Sequence, residues 1–244
     1  MVLQGGITFA ILLIQLLVAQ IPNERQLLAC GDNETASDGN RLFRSNVWRR
    51  LGAGEQCLFH NGWVWTWEDV GYDVQAFPSA AIGRSPWASH STDPRFPVKI
   101  GDLQQLDVMA DVVTEATGEF NTVLDIWLID KAPADAQGIQ AELMVWLFRG
   151  ALNPAGTSRG TRVVKGASYE LFVGETDGEI YAAFVPKEAV RTGLVDVLAF
   201  VQQLLDEGLV SPAWYISVVE VGNEVVSGSG ATIVNGYAVD VELR

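Results

Sequence analysis

The sequence predicts an all-β domain in which two antiparallel sheets stack face to face, with one helix packed on the outside. Three observations predict it: short runs alternate apolar and polar residues with a period of two, turn residues recur between them, and only one segment carries a helical period. The turn signals include Asp38-Gly39-Asn40, Asn61-Gly62, Asp177-Gly178 and Asn235-Gly236. At 244 residues the chain is long enough for one large core of this kind. No repeat, low-complexity tract or Ser/Pro-rich linker divides it.

In chain order, the apolar run Ile7 to Ala19, broken at Gln15, precedes the polar segment Pro22-Asn23-Glu24-Arg25. Such a run is too short for a comfortable membrane span of about 20 residues. It reads as an export signal over residues 1–22, with Leu17-Val18-Ala19 as a cleavage site, although no Lys or Arg precedes it. A retained anchor is the alternative. Export would place the protein outside the cell or on its surface, where Cys30 and Cys57 would pair. Two buried free thiols are the alternative there. Residues 23–244 then form the domain, with strands expected near 41–49, 63–68, 73–77, 105–113, 122–130, 140–149, 161–165, 168–174, 178–184, 213–221 and 231–243. The helix is expected from Leu194 to Glu207, where Leu194, Val197, Leu198, Val201, Leu204 and Leu205 mark one apolar face and Gly208 stops it. Two such sheets stack as a β-jelly-roll sandwich, and one of them can bend to present a concave cleft that suits a polymer.

Composition narrows the chemistry. A formal net charge of −14, from 16 basic and 30 acidic residues, argues against a nucleic-acid partner, because neutralising phosphates requires a basic face. Two histidines, His60 and His90, leave a His-rich zinc site improbable, and no Gly-x-Ser-x-Gly elbow accompanies them. The chemistry falls to carboxylates, with no metal or organic cofactor. Eight tryptophans exceed what a core of this size normally demands. Their flat faces stack on sugar rings, Trp48 and Trp146 being the first candidates.

The strand Ala141-Glu142-Leu143-Met144-Val145-Trp146-Leu147 places Glu142, Met144 and Trp146 on one side and Leu143, Val145 and Leu147 on the other. One side suits a core and the other a ligand. The segment Val219-Glu220-Val221-Gly222-Asn223-Glu224 offers a second carboxylate, from Glu220 or Glu224, which share a face of an unbroken strand. Two facing carboxylates are what cleavage of a glycosidic bond requires, one attacking the anomeric carbon and one protonating the leaving oxygen.

An ordered set of motifs carries a resemblance: Ser45-Asn46-Val47-Trp48, Val74-Gln75-Ala76-Phe77-Pro78, Asp125-Ile126-Trp127-Leu128, Glu142 through Leu147, Asn153-Pro154-Ala155-Gly156, the late helix, Pro212-Ala213-Trp214-Tyr215-Ile216 and Glu220 through Glu224. Over roughly Cys30 to Leu243 the chain resembles glycoside hydrolase family 12, the small retaining endoglucanases with a jelly-roll fold. The resemblance implies that Glu142 is the nucleophile, Glu224 the acid/base, and Asp125 the third carboxylate that tunes protonation. It implies a sugar-stacking Trp48 with Asn46 nearby, a cleft floor at Met144 and Trp146, Pro154 at the cleft edge, and an N-terminal disulfide between Cys30 and Cys57. It favours Glu224 over Glu220.

The chain departs from the family pattern at Ser45 and Arg49 around the platform Trp, at Leu124 before the Asp-Ile-Trp motif and at Phe77-Pro78. These departures bear on subsites more than on reaction type. The expected activity is internal hydrolysis of cellulose or a related β-glucan by a monomer, with Glu142 ionised and Glu224 protonated at rest. The alternatives are a xyloglucan-specific enzyme, a transglycosylase and a non-catalytic carbohydrate-binding jelly roll.

Overall fold

The computed structural model describes residues 27–68, 73–176, 178–187 and 193–244. The expected export segment and Asp177 lie outside them. In chain order the strands are β1 (Leu27–Cys30), β2 (Thr35–Asp38), β3 (Arg41–Arg44), β4 (Gly54–Phe59), β5 (Gly62–Trp67), β6 (Ser79–Gly83), β7 (Val98–Lys99) and β8 (Leu103–Thr117). They continue as β9 (Asn121–Ile129), β10 (Ile139–Arg149), β11 (Thr157–Val164), β12 (Ala167–Thr176), β13 (Glu179–Pro186), β14 (Gly193–Asp196), β15 (Tyr215–Gly222) and β16 (Gly228–Leu243), with α1 at Val197–Asp206.

Two sheets result. The smaller has the order β1-β4-β5-β16-β8-β14; the larger runs β11-β12-β13-β10-β9-β15-β6-β3-β2, with β7 paired to β15. The all-β jelly roll expected from the alternation is the fold observed. Along β8, Leu106, Val108, Ala110 and Val112 are buried while Met109, Asp111 and Val113 face water, so the small sheet covers the core with one face only. Opposite it, Leu124, Ile126 and Leu128 of β9, Leu143, Val145 and Leu147 of β10, and Val219 and Val221 of β15 complete the main core. Among the described pairings every one is antiparallel except β10 with β13, which is parallel. The β11–β12 hairpin lies between them in sequence, which gives the long crossover that a parallel pair needs.

Several elements depart from the sequence expectation. The strand near 41–49 stops at Arg44, since Asn46 takes a left-handed conformation with φ 47°. In the segment 73–77 only Ala76 bridges, to Val47 and Val225, before Pro78 removes a backbone donor. β6 reads as Ser-Ala-Ala-Ile-Gly and has no alternation; all five residues are buried, so its place between β15 and β3 is set by the sandwich rather than by propensity. The expected helix start at Leu194 is corrected: Gly193–Asp196 pairs with β8 as an edge strand, and Leu194 is 66% exposed. Asp196 is the N-cap, its Oδ1 accepting from the Ala199 N–H at 2.9 Å. Val197, Phe200, Val201 and Leu204 form the buried stripe of α1, and Gly208 at φ +69° closes its C-terminus as expected.

Cys30 and Cys57 form a disulfide between directly opposed positions of β1 and β4. It pins a short edge strand that has little buried surface of its own. Asp196→Ala should lower stability by about 1 kcal/mol through loss of the cap, read as an earlier urea midpoint with an unchanged slope. An unshifted midpoint would show that pairing with β8 alone sets the helix start.

Candidate active site

The site is built on β9, β10 and β15, whose register can be followed residue by residue. Met144 lies opposite Asp125 and Glu142 opposite Trp127; on the other side of β9, Glu220 lies opposite Asp125 and Gly222 opposite Val123. Residues two apart share a face. Glu142, Met144 and Trp146 therefore stand on the same side of the large sheet as Asp125, Trp127 and Glu220. Leu143, Val145 and Leu147 point the other way into the core, as the alternation predicts.

Glu224 follows the end of β15 and is fixed from two directions. Its backbone N–H donates to Asn121 Oδ1 at 2.8 Å, its carbonyl accepts from the Asn121 N–H at 3.1 Å, and its Oε2 accepts from Asn121 Nδ2. Beneath it, Asn223 is fully buried and links both sheets. Its Oδ1 accepts from Trp63 Nε1 at 2.6 Å and from Thr232 Oγ1 at 2.8 Å, while its Nδ2 donates to the Asn121 carbonyl at 2.6 Å and to Thr122 Oγ1 at 3.0 Å. All four capacities of a buried amide are in use, which fixes the backbone that carries Glu224.

The electrostatics follow from dry surroundings and crowded acids. Burial first, then the charges of Glu224, Glu179 and Glu220, push the Glu142 carboxyl up to about 8. Burial pushes Glu224 up to about 7, with the Asn121 amide pulling it back. Asp125, buried with Oδ1 unpartnered, is raised well above the usual carboxylate range by desolvation and by Glu142, Glu220 and Glu224, against a hydrogen bond from Trp127. A charged Glu224 therefore disfavours a charged Glu142.

Glu220, the rival of Glu224, has a different environment. It is 1% exposed, makes an ion pair with Arg44 and accepts from Ser79 Oγ at 2.9 Å. Glu220 is thus held by a guanidinium and a hydroxyl, whereas Glu224 is half-buried and has only an amide on one oxygen.

Trp48 is 55% exposed, presenting a free aromatic face. Its segment is tied to that of Glu224 through Ala76, which bridges both Val47 and Val225. Asn46 is half-buried, and its carbonyl accepts from the Phe77 N–H at 2.9 Å. Trp146 is fully buried, packed with Phe77, Val123, Met144, Tyr181, Ala183 and Val185, so its expected role is corrected from contacting a ligand to supporting the layer beneath. Met144 is buried in the same layer. The loop carrying half-buried Pro154 covers it: Leu152 packs against the cluster and the Ala155 backbone hydrogen-bonds Tyr181.

Composition gave no reason to single out Trp87, which is 62% exposed on the β6–β7 connection and meets Trp127 edge to face at 4.9 Å between ring centroids. The two indoles, with Glu142, Thr176, Glu179 and Ile180, line a cavity of about 230 Å³. Asn121 could have been found in the sequence, since it has the parity of Asp125 on one strand. Arg44 could not, lying 176 residues from Glu220.

Comparison with known proteins follows the same lines. The pattern describing glycosyl hydrolase family 12 matches residues 42–242. Endoglucanase S of Pectobacterium parmentieri is 28% identical over 213 residues, covering 81% of this chain and 80% of its own. Xyloglucan-specific endo-beta-1,4-glucanase A of Aspergillus niger is 25% identical over 231 residues, covering 87% and 90%. The fold of the native family 12 xyloglucanase from Bacillus licheniformis superposes with a TM-score of 0.82 at 23% identity, over 88% of this chain and 99% of that one. An acid-lined face on a jelly roll, matched over most of its length by one family's pattern, places this chain in glycosyl hydrolase family 12, as a glycoside hydrolase.

Proposed function

We propose that the protein cleaves β-1,4-glucosidic bonds within a glucan chain and retains anomeric configuration, with Glu142 as nucleophile and Glu224 as acid/base. The observation that carries this reading is that both carboxyls stand on one concave face and are raised by burial, with the charge of Glu224 adding to the rise at Glu142. With one proton between them, the two are in the state that double displacement needs: one carboxylate to attack and one carboxylic acid to protonate. The glycosidic oxygen selects where the proton sits. It accepts a hydrogen bond only from the acid, so substrate entry draws the proton to the free oxygen of Glu224, opposite the one held by Asn121. Asp125, protonated in its dry site, then donates to Glu142 and holds it ionised. Attack by Glu142 on the anomeric carbon breaks the glycosidic bond and gives a covalent glycosyl-enzyme. Glu224 then takes a proton from water, which releases the sugar.

Trp48 is proposed as a sugar-stacking platform, and Trp87 with Trp127 as an aromatic wall beside the nucleophile. The named relatives include endoglucanases and xyloglucan-specific enzymes, so the substrate is a β-glucan of the cellulose, mixed-linkage or xyloglucan type. Hydrolysis rather than sugar-to-sugar transfer is the proposed outcome, with the protein working as an exported monomer. The Cys30–Cys57 disulfide supports an oxidising compartment.

Glu142→Gln and Glu224→Gln should each lower kcat on soluble β-glucan at least about 10³-fold while leaving the fold intact. Product NMR on the parent enzyme should show the β-anomer first. Wild-type turnover in either variant would remove that residue from its role, and an initial α-anomer would replace retention with inversion. A product profile on cellulose, mixed-linkage glucan and xyloglucan identifies the preferred polymer.

The raised carboxyls also set the sign of a stability effect. A carboxyl raised on folding stabilises the native state below its unfolded value, near 4.3, and that contribution is lost as pH rises through the folded values, about 7 for Glu224 and about 8 for Glu142. The melting temperature should therefore fall from about pH 5 to about pH 8, and Glu142→Gln should flatten the fall; equal slopes would contradict the electrostatics of the site. Trp48→Ala should raise KM for polymer by about 3- to 10-fold with little change in melting temperature. An unchanged KM would remove the platform.

A further inference from the structure

Glu142, Asp125, Glu220 and Glu224 stand on the concave face or at its end, and Glu179 of β13 lines the cavity beside Glu142. Of the first four, Glu220 is the one in an ion pair, with Arg44. That partner comes from two strands away. Arg44 on β3 lies opposite Ser79 on β6, and Glu220 on β15 pairs with β6 at Ala81, so the guanidinium spans β6 to reach the carboxylate. Its side chain is 18% exposed, against 1% for Glu220. Ser79 Oγ completes the arrangement, donating to Glu220 and accepting from Arg44 at 3.5 Å.

Glu220 is the direct partner of Asp125 across β9 and β15, and Asp125 is the direct partner of Met144, two residues from Glu142. Glu220 Oε1 and Asp125 Oδ1 are both buried without hydrogen-bond partners. A negative charge at Glu220 therefore acts through a dry layer on both acids, as their upward shifts register. We propose that Arg44 and Glu220 form a positioning pair: the cation offsets part of the charge of Glu220, so that Asp125 and Glu142 face a paired rather than a bare carboxylate. The pair touches no reacting atom and acts through Asp125. This inference rests on the roles proposed for Glu142 and Glu224.

The other groups around Asp125 are Glu142 on β10, Glu224 beyond β15, Tyr181 on β13, Tyr237 on β16 below, and Trp127 on its own strand. Of these the tyrosines, raised by burial, stay neutral and the indole carries no charge. Removing either member of the pair thus changes the field on Asp125 and Glu142 with opposite sign. Arg44→Met leaves a bare carboxylate and favours protonated neighbours; Glu220→Gln leaves a bare guanidinium and favours ionised ones.

The test is the pH profile of kcat/KM on soluble β-glucan for Arg44→Met, Glu220→Gln and the double variant, with Arg41→Met as control. Arg41 pairs with Asp38 in the β2–β3 hairpin. Arg44→Met should move the acid limb upward by about half a pH unit or more, Glu220→Gln should move it downward, and the double variant should return it towards wild type. Arg41→Met should leave it in place. Shifts of one sign, or profiles that fall in height without moving, would overturn the proposal and leave the pair as a tie between strands. Should Arg44→Met fail to fold, the downward shift in Glu220→Gln and its reversal in the double variant decide the matter. Misassigned catalytic roles would show separately, as turnover retained in Glu142→Gln or Glu224→Gln.

Discussion

The structure depends on three central strands, β9, β10 and β15, that are buried on both faces while one face carries acids. Their core side is aliphatic and packs against the small sheet. Their other side carries Glu142, Asp125 and Glu220 over a floor that includes Met144, Trp146 and Tyr181. Taking carboxylates out of water is costly unless they are paired or protonated. Both solutions occur within one layer: Glu220 is paired with Arg44, whereas Asp125, Glu142 and Glu224 are pushed towards the protonated form. The same desolvation destabilises the charged fold at high pH and fits the acid and nucleophile roles proposed for Glu224 and Glu142.

Rigidity around these groups comes from satisfied polar contacts rather than from bulk. Asn223 bonds Trp63 and Thr232 of the small sheet and Asn121 and Thr122 of the large one, so the residue preceding Glu224 is fixed by both layers. Asn121 then holds Glu224 by backbone and side chain. The aromatic residues divide by depth. Trp63, Trp65 and Trp146 are internal, while Trp48 and Trp87 expose their faces at separate places around the site. That division turns an unusual tryptophan content into both a core and an exposed aromatic rim.

Much of this was legible from the chain alone. Period-two alternation in β8 and β10 assigned each side chain to its face, and Gly208 marked the helix end. The alternation around Glu142 placed it on the face turned away from the core, where the register finds it. Other features were hidden for identifiable reasons. β6 has no periodicity because both its faces are buried, and β14 hid inside a helical pattern because Leu194 fits the apolar stripe by spacing while projecting outward from an edge strand. Trp146 suggested a ligand contact by parity with Glu142, yet parity specifies only the side of a sheet and not what lies over it. The cover comes from the loop through Leu152 and Ala155.

Local order in the sequence thus determined the all-β class and the inward and outward faces of the main strands, since these depend on residues two to four apart. Only the tertiary structure decided which acids are ion-paired and which are raised by burial. That outcome depends on burial and on partners far along the chain: Arg44 meets Glu220, and Asn121 meets Glu224, only when β3, β6, β9 and β15 are aligned in one sheet. A charge's environment is a property of the space around it, and no local pattern encodes that space.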